Sequence, residues 1–188
     1  MNGSFKGMPR ASLFLENFLE NKGKTIYLRS EDVYSIITSS KRCMDHFNFN
    51  MNLLRSVCEE TVTDNATVYI ASSPDSQLKG SCYSNPDNCV LNHGNHMADS
   101  NIIEIDWHYS VGDSYCSLVA KVTKEGDYYY MDYKYYIIDI YEWGWHAAKK
   151  DYYQHMLHEC GLAHEYLING CYSGMDVWKS GERYEQCE

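Results

Sequence analysis

Residues 115–122 (YCSLVAKV) and 128–139 (YYYMDYKYYIID) decide the fold of this chain. Both stretches are rich in aromatic and β-branched residues, which favour β-strands. The residues KEGD at 124–127 lie between them and are typical of a tight turn. The sequence therefore predicts an antiparallel hairpin at the centre of a β-sheet.

Further strands and helices are predicted on both sides of this hairpin. Compact apolar runs predict strands at 25–28, 67–71, 102–109, 163–170 and 174–179. Apolar residues at helical spacing predict helices at 11–19, 31–39, 51–60 and 150–162. Ser30 is the expected N-cap of the second helix, and Tyr153, Met156, Leu157 and Cys160 are the expected inward face of the last one.

The order of these elements predicts an α+β fold, with N-terminal helices packed against a curved, mainly antiparallel sheet or open barrel. We expect residues 1–65 to form a helical region and residues 66–188 a β-rich region. With 188 residues in total, the chain is long enough to bury a proper core, so the two regions are expected to form one compact domain.

Composition limits the classes of function. The net charge of −10 argues against a large nucleic-acid footprint, and nucleic acid is not an expected partner. Most of the 18 tyrosines lie between Tyr109 and Tyr153, which predicts a sheet with one wet or ligand-facing side. No apolar run reaches the length of a spanning helix, and the first ten residues lack the apolar core of a signal peptide.

Cysteines and histidines leave several alternatives open. The eight cysteines include no C-x-x-C pair, so a structural zinc knuckle is not expected. Partial disulfide formation, with Cys82 and Cys89 as the most local pair, and reduced thiols remain alternatives. His155 and His158 lie one helical turn apart, which is compatible either with zinc binding or with hydrogen-bonded surface histidines.

The stretch 139–146 (DIYEWGWH) places two carboxylates, a phenol and an imidazole within eight residues. Asp139 and Glu142 offer the oxygen ligands that a hard cation prefers, and His146 can carry a proton. These groups suit metal-assisted hydrolysis of a phosphate ester. The alternative is a strand end with solvated polar residues. No Gly-x-Ser-x-Gly elbow or glycine-rich phosphate loop is present, which disfavours serine hydrolases and the common nucleotide enzymes.

Several motifs stand together between residues 105 and 185: the VGD at 111–113, the hairpin through Gly126, the DIYEW at 139–143 followed by His146, the GLA at 161–163, the EYLI at 165–168 and the KSGER at 179–183. Together they resemble the catalytic domain of colicin M, a family of bacteriocins that degrade lipid II, and this resemblance makes the β-rich region 66–188 the expected catalytic region. The family signature has Asp at the position of Glu142, Phe at the position of Trp143, and an Arg after the histidine.

The resemblance implies a Mg²⁺-dependent phosphodiesterase that separates undecaprenol from the pyrophosphate of lipid II. Carried over by position, Asp139, Tyr141, Glu142 and His146 are the expected catalytic residues, and Asp139 and Glu142 the expected Mg²⁺ ligands. Lys149 and Lys150 are expected to bind substrate in place of the family's arginine.

The resemblance further implies an antibacterial toxin, secreted or injected, that acts in the periplasm of a target bacterium. Its expected partners are the lipid-linked precursor, the membrane surface and a cognate immunity protein. Two alternatives remain at this point: a metal-dependent nuclease toxin, and a non-enzymatic toxin that perturbs membranes, in which residues 139–146 are only a structural turn.

Overall fold

The computed structural model describes residues 7–20, 23–72, 92–95, 101–112, 114–142 and 152–184. Along these residues the elements are α1 (Pro9–Leu19), β1 (Ile26–Leu28), α2 (Ser30–Ser39), α3 (Lys41–Thr61), β2 (Thr67–Ala71), β3 (Asn92–Asn95), α4 (Ile102–Val111), β4 (Ser114–Glu125), β5 (Tyr128–Tyr141), α5 (Tyr152–Glu159) and β6 (Tyr166–Lys179). The strands form one sheet in the order β1-β6-β5-β4-β2, and β3 pairs with the remaining end of β4.

The predicted hairpin is confirmed and forms the centre of the sheet. β4 and β5 pair antiparallel from Tyr115 opposite Ile138 to Glu125 opposite Tyr128. Gly126 has a φ of 60°, the left-handed conformation that glycine adopts without strain in such a turn. All strand pairs are antiparallel except β1 with β6. The α+β class is therefore confirmed, with a sheet that stays open instead of closing into a barrel.

One face of the sheet packs against the helices. In β5 the odd-numbered residues from Tyr129 to Ile137 are buried, whereas Tyr128 and Tyr130 on the opposite face are exposed. Phe18 of α1 and Phe47 of α3 belong to the same hydrophobic core as these strand residues. The core thus contains side chains from both of the predicted regions, 1–65 and 66–188.

The predicted strand at 102–109 is wrong, because these residues belong to α4. The side chain of Asn101 accepts hydrogen bonds from the backbone N–H groups of Ile103 and Glu104, at 3.0 and 2.9 Å, and so caps the helix. The apolar run IIEI suggested a strand because β-branched residues favour sheets. A capped N-terminus and tertiary packing override that preference here.

The two predicted closing strands are a single strand, β6. The two predicted strands ended at Gly170 and began again at Gly174, and glycine does weaken strand interiors in general. Both glycines instead make room for neighbouring side chains. A Cβ at position 170 would lie 2.7 Å from side-chain atoms of Leu28 and Val33, and a Cβ at position 174 would overlap the phenol of Tyr133.

The helix predictions are confirmed with different bounds. α3 begins at Lys41, earlier than the predicted 51, and Ser30 is the first residue of α2 rather than its cap. The predicted inward face of α5 is wrong at Tyr153 and Met156, which are exposed, and at Cys160, which is exposed and lies beyond the end of the helix at Glu159. Leu157 is the member of that face that packs against the core. No helix of the described part of the chain has the length and apolar character needed to cross a membrane.

A carboxylate from α4 caps the start of α1. Asp106 is 2% exposed, and it accepts hydrogen bonds from the backbone N–H groups of Arg10 (3.2 Å) and Ala11 (2.8 Å). The guanidinium of Arg10 also lies 3.4 Å from Asp106 and covers the ring of Trp107. The first N–H groups of a helix have no acceptor within the helix, and here Asp106 supplies one. The contact thereby joins α1 to α4, which is distant in sequence.

We predict that Asp106→Ala lowers the free energy of unfolding by about 1–3 kcal/mol, because it leaves buried N–H groups at the start of α1 without acceptors. Urea denaturation of the purified protein measures this loss. Asp132→Ala removes an exposed carboxylate from β5, and we expect it to change stability by no more than about 0.5 kcal/mol. Equal effects of the two substitutions would contradict the capping role.

Candidate active site

A cavity of about 310 Å³ lies between the C-terminal end of α4 and the C-terminal end of β5. Its walls include His108 and Tyr109 from the helix, and Asp139, Tyr141 and Glu142 from the strand. Three of the predicted site residues therefore line a single cavity. His146, Lys149 and Lys150 lie outside the described residues.

Strand alternation sets the direction of each side chain at this end of β5. Asp139 and Tyr141 continue the odd-numbered series that faces the helices, and Ile140, which is 54% exposed, belongs to the opposite face. Asp139 is half-buried and lies opposite Ile168 of β6. Glu142 directly follows the strand and is exposed. The cavity is thus lined by one half-buried carboxylate, Asp139, and one exposed carboxylate, Glu142.

Tyr141 forms the floor of the cavity. Its ring stacks on that of Tyr166, with centroids 5.0 Å apart and planes 11° apart, and it also contacts Phe14 and Phe18 of α1. Burial raises the pKa of the Tyr141 phenol above its ordinary value, so the group stays protonated at neutral pH. These contacts make Tyr141 a positioning residue that holds the end of β5 against α1.

Asp139 lies close enough to this aromatic floor to affect its ionisation. Burial is the main cause of the raised pKa of Tyr166, and the charges of Tyr141 and Asp139 raise it further. The hydroxyl of Tyr166 donates a hydrogen bond of 2.7 Å to the carbonyl of Phe14. The carboxylate of Asp139 therefore lies near the buried phenols of Tyr141 and Tyr166.

His108 is a site residue that the sequence interpretation missed. It lies in the last turn of α4, and its ring contacts that of Tyr109 edge-on at 5.3 Å. The mistaken strand assignment at 102–109 hid it. The pattern Asn101-x-x-Glu104, a cap residue followed three positions later by Glu, was the signal that could have revealed the helix.

The resemblance predicts that the carboxylates of this cavity bind Mg²⁺. Within the described residues no group of three or more His, Cys, Asp or Glu side chains is placed to hold a metal ion. Mg²⁺, however, commonly takes only one or two carboxylates and fills its remaining positions with water and substrate phosphate. Asp139 and Glu142 fit that sparse kind of site.

The histidines of α5 take part in a different arrangement. The Nε2 atom of His158 lies 3.8 Å from a carboxylate oxygen of Glu165, and both side chains are about one third exposed. His155 is half-buried on the same helix. The zinc site suggested by their spacing stays a prediction.

No family model, curated protein or solved structure matches this chain. The resemblance to colicin M therefore rests on the motifs quoted above.

A second polar cluster lies within the core, around His46 of α3. The Nδ1 atom of His46 is 3.4 Å from the Sγ atom of Cys116 and 3.4 Å from the hydroxyl of Tyr135. Burial raises the pKa of Cys116 to about 12, so the sulfur is a neutral thiol at neutral pH. Since a thiolate is the nucleophilic form, this pair of Cys and His is not equipped for covalent catalysis.

The sequence left open whether the cysteines form disulfides or stay reduced, and the structure answers this for some of them. Cys43, Cys116, Cys160 and Cys171 are reduced thiols, and burial raises the pKa of Cys43 to about 11. The predicted local pair of Cys82 and Cys89 lies outside the part of the chain that the structure describes.

We predict that His46 makes the protein less stable in mild acid. Burial lowers the pKa of this imidazole below its ordinary value, so near pH 6 the unfolded chain binds a proton that the folded protein does not. Stability therefore falls as the pH drops below about 6.5, and His46 adds no pH dependence above that range.

Urea denaturation between about pH 7.5 and pH 5.5 measures this loss. His46→Gln should flatten the pH dependence, whereas His164→Gln, which alters an exposed histidine, should keep it. Parallel curves for the wild type and His46→Gln would rule out the assignment.

Proposed function

We propose that this protein is an antibacterial toxin that hydrolyses the bond between undecaprenol and the pyrophosphate of lipid II, and that the cavity at the end of β5 is its active site. The observation that carries the proposal is the convergence of Asp139, Glu142 and His108 on one cavity. The motifs shared with the colicin M family supply the substrate class.

Each side chain of the cavity has a proposed role. Asp139 and Glu142 would hold Mg²⁺, which when bound neutralises charge on the pyrophosphate and polarises a phosphoryl oxygen. Tyr141 keeps the strand end, and with it Asp139, in place through its stacking on Tyr166. Lys149 and Lys150 are proposed to bind substrate phosphate.

Hydrolysis requires one proton to leave the attacking water and one to reach the departing oxygen. The water oxygen bonds to phosphorus, the bond from phosphorus to the undecaprenol oxygen breaks, and that oxygen takes up a proton. We assign these transfers to histidine, the side chain whose ordinary pKa lies nearest neutral pH. His146 is the candidate from the sequence motif, and His108 is a second candidate already placed in the cavity wall.

The surroundings of the cavity support an amphiphilic substrate. Ile140 and Tyr109 line it and are 54% and 45% exposed, and Leu167, opposite Ile140 in β6, is 38% exposed. Apolar and aromatic side chains beside an acidic cleft suit a molecule with a lipid chain and a polar head group at a membrane interface. The net charge of −10 supports the same choice over a nucleic-acid substrate.

The biological setting is part of the proposal. A lipid II hydrolase would act in the periplasm of a target bacterium, after secretion or injection by another cell. The producing cell would then need a cognate immunity protein. Both statements depend on the proposed activity.

The first test is the reaction itself. We expect the purified protein to release undecaprenol from lipid II in the presence of Mg²⁺, as followed by chromatography, and to lose this activity when EDTA is added. Absence of undecaprenol release by folded protein would contradict the proposal. Cleavage of RNA or DNA under the same conditions would indicate a nuclease instead.

We predict that Asp139→Asn lowers the rate of undecaprenol release by about 100-fold or more, as is typical when one preorganised electrostatic group is removed from an active site. The matched control is Asp132→Asn, the same isosteric change at an exposed position of the same strand. It should retain the wild-type rate. Equal rates for Asp139→Asn and the wild type, at unchanged thermal stability, would remove Asp139 from the mechanism.

The two histidines can be separated by their pH profiles. Replacing the histidine that carries the proton should lower the rate by about 100-fold or more and abolish one limb of the pH dependence. We expect one of His108→Gln and His146→Gln to show this result. Full activity of both variants would exclude histidine acid–base catalysis.

A further inference from the structure

Part of the outer edge of β6 has no neighbouring strand among the residues that the structure describes. β1 pairs only with Ile168, Asn169 and Gly170 of this strand. Beyond Gly170, β6 continues to Lys179, and within the described residues no strand pairs with that part of its outer edge. Exposed strand edges of this kind are templates for pairing with another chain.

The register shows which residues direct their backbone outward. The N–H of Ser180 donates to the carbonyl of Asp127 (3.0 Å), so the even-numbered residues of β6 bond to β5. The N–H of Lys179, on the outer side, donates to the side chain of Glu182 (3.0 Å). Ser173, Met175 and Val177 lie between Lys179 and the part of β6 that pairs with β1. These three residues present their N–H and C=O groups to the outside.

The side chains of these three residues do not protect the edge. Met175 is 82% exposed, Val177 is 55% exposed, and Ser173 is also exposed. Edge strands usually carry an outward charge, a proline or a bulge that blocks pairing. Neither a charge nor a proline occurs at these three positions, and the pairing with β5 continues through them without a register shift.

The same segment is complementary to itself. In a two-fold antiparallel pairing centred on Met175, that residue faces Met175 of the partner subunit, and Ser173 faces Val177 of the partner subunit. Each of these pairs exchanges both of its N–H···O bonds, because all three residues direct their backbone outward. The apolar side chains meet on the open face of the joined sheet.

The helix-side face of the strand also tolerates this pairing. Asp176 would face Gly174 of the partner subunit, which has no side chain to collide with it. The charge of Asp176 is already balanced by Arg55, whose Nη2 atom donates to a carboxylate oxygen at 2.8 Å. No like charges face each other in this register, and like charges directly opposite would destabilise the pairing.

We propose that two copies of this chain associate through their β6 edges, in antiparallel register about Met175, to form a dimer with one continuous sheet. The occupant of the edge is a second copy, because the segment Ser173 to Val177 satisfies its own hydrogen bonds and apolar contacts. The proposal does not depend on the proposed enzymatic activity.

The test exploits the position of Met175 on the two-fold axis. We expect the wild type to sediment as a dimer in analytical ultracentrifugation. Met175→Lys and Met175→Asp each place like charges face to face, so each should raise the dissociation constant by about 100-fold or more. An equimolar mixture of the two variants should restore dimers to within about tenfold of the wild type, because opposite charges then meet.

Two further variants separate this register from others. Ser173→Lys carries the same new charge two residues away, but faces Val177 of the partner subunit, so dimers should persist. Met175→Pro removes the outward N–H, which an edge strand tolerates, and should give folded monomers as judged by circular dichroism. Monomeric wild-type protein at its highest soluble concentration, or no recovery on mixing the Lys and Asp variants, would overturn the proposal.

Discussion

The contact between Asp106 and the start of α1 is the constraint on which the position of the cavity depends. A buried carboxylate would be costly unless its charge were compensated, and here two backbone N–H groups and the guanidinium of Arg10 compensate it. The same helix donates a hydrogen bond from Trp107 to the hydroxyl of Ser35 in α2, at 3.0 Å. α4 is thus anchored on α1 and α2, and its last turn carries His108 to the end of β5.

The far side of the cavity depends on aromatic packing. Tyr141 and Tyr166 belong to neighbouring strands, and their stacked rings lie against Phe14 and Phe18 of α1. α1 therefore supports both walls, through its N-terminal N–H groups on one side and its aromatic residues on the other. This arrangement places a half-buried acid on a rigid support, which is what a preorganised site requires.

The sequence allowed a reliable prediction where the local signal and the tertiary structure agree. The hairpin of β4 and β5 has strand propensity, alternation and a glycine turn that all favour one structure, and it was predicted correctly. α4 was missed because its β-branched residues favour a strand, and its packing against α1 overrides them. β6 was divided in two because a glycine can indicate either a break or a close approach. Whether a glycine breaks the strand or allows a close approach depends on neighbours such as Leu28 and Tyr133, which are distant in sequence.

The candidate site was predictable to a similar degree. Asp139, Tyr141 and Glu142 were singled out because they match a family motif, and strand alternation predicts that Asp139 and Tyr141 share one face of the strand. His108 could not be associated with them, because it comes from another helix and only the fold brings it close. The sequence could not show that Asp139 lies at a cavity, since the other wall of that cavity comes from α4, which is distant in the chain.

The stacked tyrosines beneath the cavity have an optical consequence. Tyr129 and Trp178 form a second stacked pair, 4.8 Å apart and 10° from parallel, near the hairpin turn at the opposite end of the sheet. Parallel rings at such separations couple their electronic transitions, so each pair should contribute a near-ultraviolet circular dichroism band of its own. These two pairs are thus intrinsic chromophores, one reporting on the floor of the cavity and the other on a distant part of the same sheet.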